Sequence, residues 1–121
     1  MRWLTAAALD LGCVVVFVAI GRHSHGETSA LAGLLRTAWP FTAGLVLGWA
    51  AVRAWRRPAA LAPTGVAVWL TTVAAGMMLR VISGQGIAFT FVLVALAFLG
   101  LVLLGWRLVA RRASVHALKR I

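Results

Sequence analysis

Apolar residues gather in four long runs, at about 3–21, 38–55, 65–83 and 87–109, with short polar stretches between them. Each run is too long for a typical buried strand. At a rise of about 1.5 Å per residue, a helix of that length crosses a hydrocarbon layer of roughly 30 Å. The strict alternation of barrel strands is missing. Backbone exposed to lipid has to satisfy its own hydrogen bonds, which leaves helices as the spanning elements. The pattern predicts an all-α membrane protein: a bundle of four transmembrane helices within residues 1–112, then a basic tail at 113–121.

Breakers between the runs set the connections. Pro58 and Pro63 interrupt the second loop, and Thr64 is a candidate cap for the third helix. Ser83-Gly84-Gln85-Gly86 reads as a tight turn, which makes the third and fourth helices antiparallel neighbours. The first loop, Arg22 to Thr37, is the longest. Thr28 can cap a short surface helix running through Arg36, with Leu31, Leu34 and Leu35 towards lipid. Pro40 then falls in the first turn of the second span, where its missing N–H is harmless. One echo runs through the chain: Leu45-Val46-Leu47-Gly48-Trp49 is similar to Val102-Leu103-Leu104-Gly105-Trp106. It hints at two helical hairpins in parallel orientation, although chance and shared interfacial chemistry explain such pentapeptides about as well as duplication does.

Composition sharpens this picture. Of 121 residues, 63% are hydrophobic and 12% charged. The charged share is about half that of a soluble domain, so lipid is the solvent for most of the surface. The length suits one helical domain and leaves no space for a soluble enzyme domain. The net charge is +10, but the basic residues sit at the ends of apolar runs and form no stripe on a soluble face. Membrane orientation and lipid headgroups account for that placement, and no nucleic-acid partner is expected. Arg2, Arg53, Arg56, Arg57, Arg107, Arg111, Arg112, Lys119 and Arg120 fall on one side, and Arg22, Arg36 and Arg80 on the other. The excess places both termini in the cytoplasm, with the protein in the plasma membrane and anionic lipid against its inner face. Self-association is expected, because so small a bundle leaves little space for a private pathway. The start imitates a signal peptide, but Asp10 interrupts its apolar stretch and Ala30-Leu31-Ala32 lies too far beyond it, so the first run is read as a retained span.

Asp10 is the residue that most needs explaining. It is one of two acidic residues and lies inside the first span, where a carboxylate costs roughly 2.5–3.5 kcal/mol or more unless it is paired, protonated or wet. The topology puts Gly48, Trp49, Thr71 and Thr72 at its depth, with Arg53 and Arg107 about one turn nearer the cytoplasm. Asp10, Trp49 and Thr72 form a candidate intramembrane polar site. Ala8, Gly12, Gly44, Gly48, Thr72 and Gly76 offer small-residue spacing for close helix approach. Asp10 can pin the bundle through hydrogen bonds, or serve as a proton or ion relay. At the other end, Arg22, Arg36, Arg80 and His25 form a candidate outer anion rim, set against the plainer reading of arginines snorkelling to lipid phosphates. Arg80 should lie just below the surface and call for Glu27, a loop carbonyl or water. His23-x-His25-x-Glu27 lacks the further ligands of a metal site, so neither metal nor cofactor is expected. Nothing resembles a Ser/His/Asp set, paired carboxylates or a phosphate-cradling loop, which argues against an enzyme. Trp3, Trp55 and Trp106 are assigned to the inner aromatic belt, and Met77, Met78 and Cys13 to apolar packing.

Asp10, Gly21-Arg22-x-Ser24-His25, Thr37-Ala38-Trp39-Pro40-Phe41, Gly65-Val66-x-Val68-Trp69-x-x-Thr72-x-x-x-Gly76-Met77-x-Leu79-Arg80 and Gly105-Trp106-Arg107, in that order, resemble a family of small integral membrane proteins, domain of unknown function 3054. The resemblance covers nearly the whole chain and is most specific between Trp69 and Arg80. It implies a four-helix membrane protein and carries over no catalytic residue. Two functional readings follow from the residues. One is a small transporter or permease-like protein with Asp10 as its internal polar site and Arg22, Arg36 and Arg80 as an outer rim. The other is a non-transporting membrane module that binds a partner protein or lipid, with Asp10 as hydrogen-bond glue. A water-filled path to Asp10 would favour the first, and a sealed Asp10 the second.

Overall fold

A computed structural model describes residues 2–24, 31–85 and 89–119, with only the backbone of 23, 24 and 114–119. Four helices follow in order: α1 (Trp3–Ser24), α2 (Leu31–Val52), α3 (Val66–Ile82) and α4 (Phe89–Lys119). No strand occurs among the described residues. All four helices are long and apolar enough to cross a membrane, the third counted with the irregular turn Leu61–Gly65 that leads into it. Large apolar side chains such as Leu101, Val109, Val46 and Ile82 face outward. So much exposed hydrocarbon is the outside of a bundle solvated by lipid.

The core runs along the bundle axis. Phe17 of α1 meets Phe41 of α2 edge to face at 5.4 Å, and Phe91 of α4 lies within about 6 Å of both. Below them pack Val14, Leu45, Val68, Leu99 and Leu103. The most extensive contact joins α2 and α3. A Cβ on Gly44 would stand 2.8 Å from the Thr72 carbonyl oxygen, and one on Gly76 2.7 Å from the Phe41 ring, so only glycine lets these two helices approach this closely. The other small residues expected at interfaces behave differently: Ala8 and Gly12 are exposed on the outer side of α1, and nothing lies within 4 Å of a Cβ built at Gly12.

Several local expectations are corrected. The segment read as a surface helix belongs to α2, at least from Leu31 onward, so Pro40 sits inside the helix and not in its first turn. Proline in that position cannot bond the carbonyl four residues back. The carbonyl concerned, Arg36, accepts a hydrogen bond from Gln85 Nε2 at 3.0 Å instead. Gln85 is delivered there by the end of α3. Gly84 adopts a left-handed conformation (φ 80°), Gly84 N–H bonds Val81 O, and Gln85 N–H bonds Arg80 O at 2.8 Å. That is the helix-ending motif in which glycine is favoured. Thr64 is buried and does not cap α3, which begins from Gly65 without a side-chain cap. Among the described residues the basic tail is helical and continues α4 through Lys119. Met77 is buried as expected, whereas Met78 points outward.

Candidate functional site

Three spans and one loop meet at Asp10. Its carboxylate is fully buried, as is the guanidinium of Arg107 on α4. Arg107 Nη1 donates to Oδ1 at 2.9 Å and Nη2 to Oδ2 at 2.6 Å, the parallel fork that suits arginine to a carboxylate. Trp106 Nε1 donates to Oδ1 and Trp49 Nε1 to Oδ2, each at 2.8 Å. Each oxygen thus receives two donors, which fills the roughly four acceptor positions of a carboxylate.

The arginine is equally occupied. Nε donates to the Pro58 carbonyl at 3.0 Å, and Nη1 also to the Leu103 carbonyl at 2.9 Å. Its Cζ lies 4.4 Å from the centre of the Trp106 ring, a cation–π contact. Space for its stem comes from Gly65, where a Cβ would stand 2.9 Å from Arg107 Cδ. One side chain therefore ties α4 to α1 and to the loop between α2 and α3. A buried pair of this kind is tolerated only when geometry and additional hydrogen bonds offset the desolvation of both ions. Here both conditions hold.

Of the predicted polar site, Asp10 and Trp49 come together and Thr72 does not join them. Thr72 lies at the α2–α3 contact, its Oγ1 buried and without a hydrogen-bond partner among the described residues. Arg107 was expected within reach and makes the contact, while Arg53 is exposed, in a left-handed turn (φ 50°) that ends α2. Trp106, assigned to the aromatic belt, turns its indole N–H to Asp10 and is the counterpart of Trp49. The repeated pentapeptide held that signal, because its two tryptophans donate to the two oxygens of one carboxylate.

At the opposite end, Arg22 Nη1 donates to Thr37 Oγ1 at 3.1 Å, linking α1 to α2. Arg80 Nη1 donates to Gln85 Oε1 at 3.2 Å, and its Cζ stands 4.6 Å from the centre of the Phe91 ring. Arg36 is exposed on α2. His25, the fourth member of the predicted rim, lies outside the described residues, as does Glu27. No group of three or more potential metal ligands occurs among the described residues.

Outward-facing apolar spans closed around a sealed ion pair define an integral membrane bundle. The chain belongs to the family described as protein of unknown function (DUF3054), whose model matches residues 7–110. No curated protein and no solved structure matches it.

Proposed function

We propose that this protein is a non-transporting membrane module, locked into one arrangement by Asp10 and Arg107 and acting through what its surface binds. The observation that carries this reading is the saturation of Asp10: two donors on each oxygen and no exposed surface. A relay acid needs a site for a proton or ion to arrive. Filling this one would require at least one of four short hydrogen bonds to break inside the bundle, at several kcal/mol. The permease-like reading places its internal site on a residue already committed to holding α1, α2 and α4 together.

The surface partner best supported is anionic lipid. Arg2, Arg53, Arg56, Arg57, Arg111 and Arg112 are exposed at the end of the bundle where Trp3 and Trp55 are also exposed. This is the arrangement of an aromatic belt beside a cationic one, and it supports a cytoplasmic position for both termini. Reconstitution tests the reading. Proteoliposomes holding the full chain and a trapped pH dye are given a potassium diffusion potential with valinomycin. The module should leave proton entry equal to that of empty liposomes. A saturable proton flux that Asp10→Asn abolishes while the variant remains folded would overturn it.

A further inference from the structure

The connection that follows α2 turns sharply and carries three cations. Arg53 leaves the helix in a left-handed conformation (φ 50°), and a tight 3-10 turn, Ala54–Arg56, comes next. Arg56 N–H donates to Arg53 O at 3.0 Å and Arg57 N–H to Ala54 O at 3.2 Å. Bonds of this span draw the residues they join to within about 7 Å of each other. Two residues fasten the turn to the bundle. Ala54 is fully buried in the core. Pro58 is buried too, and its carbonyl accepts from Arg107 Nε at 3.0 Å. Beside those anchors Arg53, Trp55, Arg56 and Arg57 are exposed. The core therefore fixes the backbone of the cationic turn, partly through the same arginine that neutralises Asp10.

The guanidinium groups of Arg53, Arg56 and Arg57 make no hydrogen bond or ion pair among the described residues. The chain has two acids, and neither belongs to this stretch: Asp10 is taken by Arg107, and Glu27 precedes α2, whereas the turn follows it. Three like charges confined to one turn attract an anion more strongly than the same charges spread apart. Trp55 says at what depth that anion lies. Its indole is about half exposed within the same turn, and exposed tryptophan on a lipid-solvated bundle marks the headgroup level. At that level the available oxyanion is the lipid phosphate, which the arginine fork suits.

We propose, resting on the anionic-lipid reading above, that the turn at residues 53–57 is a site for a lipid whose headgroup carries two phosphates. A singly charged headgroup engages one guanidinium and leaves its neighbours facing each other. A second phosphate on the same headgroup meets those neighbours without a further binding event, so its affinity gains from effective concentration. The preference comes from holding three guanidinium groups on one anchored turn. Arg111 and Arg112, exposed on successive positions of α4, add general attraction for the anionic surface.

The test uses the purified full chain in phosphatidylcholine nanodiscs. One set contains cardiolipin and the other twice the mole fraction of phosphatidylglycerol, so that both offer the same number of anionic phosphates. Native mass spectrometry reads the apparent affinity for each retained lipid. The wild type should hold cardiolipin about tenfold more tightly than phosphatidylglycerol. Arg53→Gly with Arg57→Gln should bring that ratio close to one; glycine suits the left-handed position at 53, so the turn keeps its shape. Arg111→Gln with Arg112→Gln removes as much charge from α4 and should lower both affinities by a similar factor, leaving their ratio. Should the turn variant unfold by circular dichroism, Arg57→Gln alone decides by the same criterion. A turn variant that keeps the ratio, or an α4 variant that abolishes it equally, overturns the site. A wild-type ratio near one, with both anionic lipids still held over phosphatidylcholine, overturns the site and leaves the anionic-lipid reading standing. Retention of neither lipid overturns both.

Discussion

Asp10→Asn tests the lock with the least change of shape. Oδ1 accepts from Trp106 and Arg107 Nη1, and Oδ2 from Trp49 and Arg107 Nη2. An amide turns one of these oxygens into a donor, whichever way it is oriented. Two of the four contacts then oppose donor to donor, and Arg107 loses its counter-charge in a fully buried position. Two hydrogen bonds involving the charged pair, at about 1.5–3 kcal/mol each, put the loss at roughly 3–6 kcal/mol. Removing one partner of a buried pair gives a consistent figure of about 3–5 kcal/mol. We expect about 4 kcal/mol from SDS titration in mixed micelles, followed by circular dichroism. Arg107→Met should lose a similar amount, and the double variant less than the sum by about 2 kcal/mol, since the second substitution removes a charge already stranded. An Asp10→Asn protein within about 1 kcal/mol of the wild type, or strictly additive losses, would refute the reasoning.

Trp49→Phe and Trp106→Phe each remove one indole donor and should each cost about 1.5–3 kcal/mol in the same titration, with Trp106→Phe the larger because its ring also lies against Arg107. Gly44→Ala pushes a methyl group into the Thr72 carbonyl and should destabilise by about 1–3 kcal/mol. Gly12→Ala meets nothing and should be neutral or stabilise by up to about 1 kcal/mol through helix propensity. Gln85→Leu strips the Arg36 carbonyl of its side-chain donor at an exposed site and should cost about 0.5–1.5 kcal/mol. In a Pro40→Ala background the helix supplies its own N–H, and the effect of Gln85→Leu should largely disappear when the cycle is read by thermal unfolding.

The spans were legible because lipid imposes two simple demands, length and apolar content, and both can be read along a single line of sequence. Depth was legible for the same reason: counting residues from the ends of the runs brought Asp10 level with Trp49 and within reach of Arg107. The direction a side chain faces around its helix was harder to read. In a bundle solvated by hydrocarbon, apolar residues cover the inside and the outside alike, so Ala8 and Gly12 look no different from Gly44 and Gly76. Thr72 faces α2, against Gly44, rather than Asp10. Pro40 misled because a proline inside a helix is costly in isolation; the compensating donor, Gln85, comes from a turn 45 positions further along. Trp106 was read by its place near a run end, when its match to Trp49 was the better guide.

Indole hydrogen exchange measures the sealed ion pair most directly. With nitrogen-15 tryptophan in the protein and nanodiscs as the host, each Nε1–H gives its own NMR signal. Trp3 and Trp55 are about half exposed and serve as internal references. The signals of Trp49 and Trp106 should persist in deuterium oxide long after those of Trp3 and Trp55 have vanished, and both should be displaced together by Arg107→Met. Exchange of Trp49 and Trp106 as fast as the references would mean that water reaches Asp10, which contradicts a closed lock.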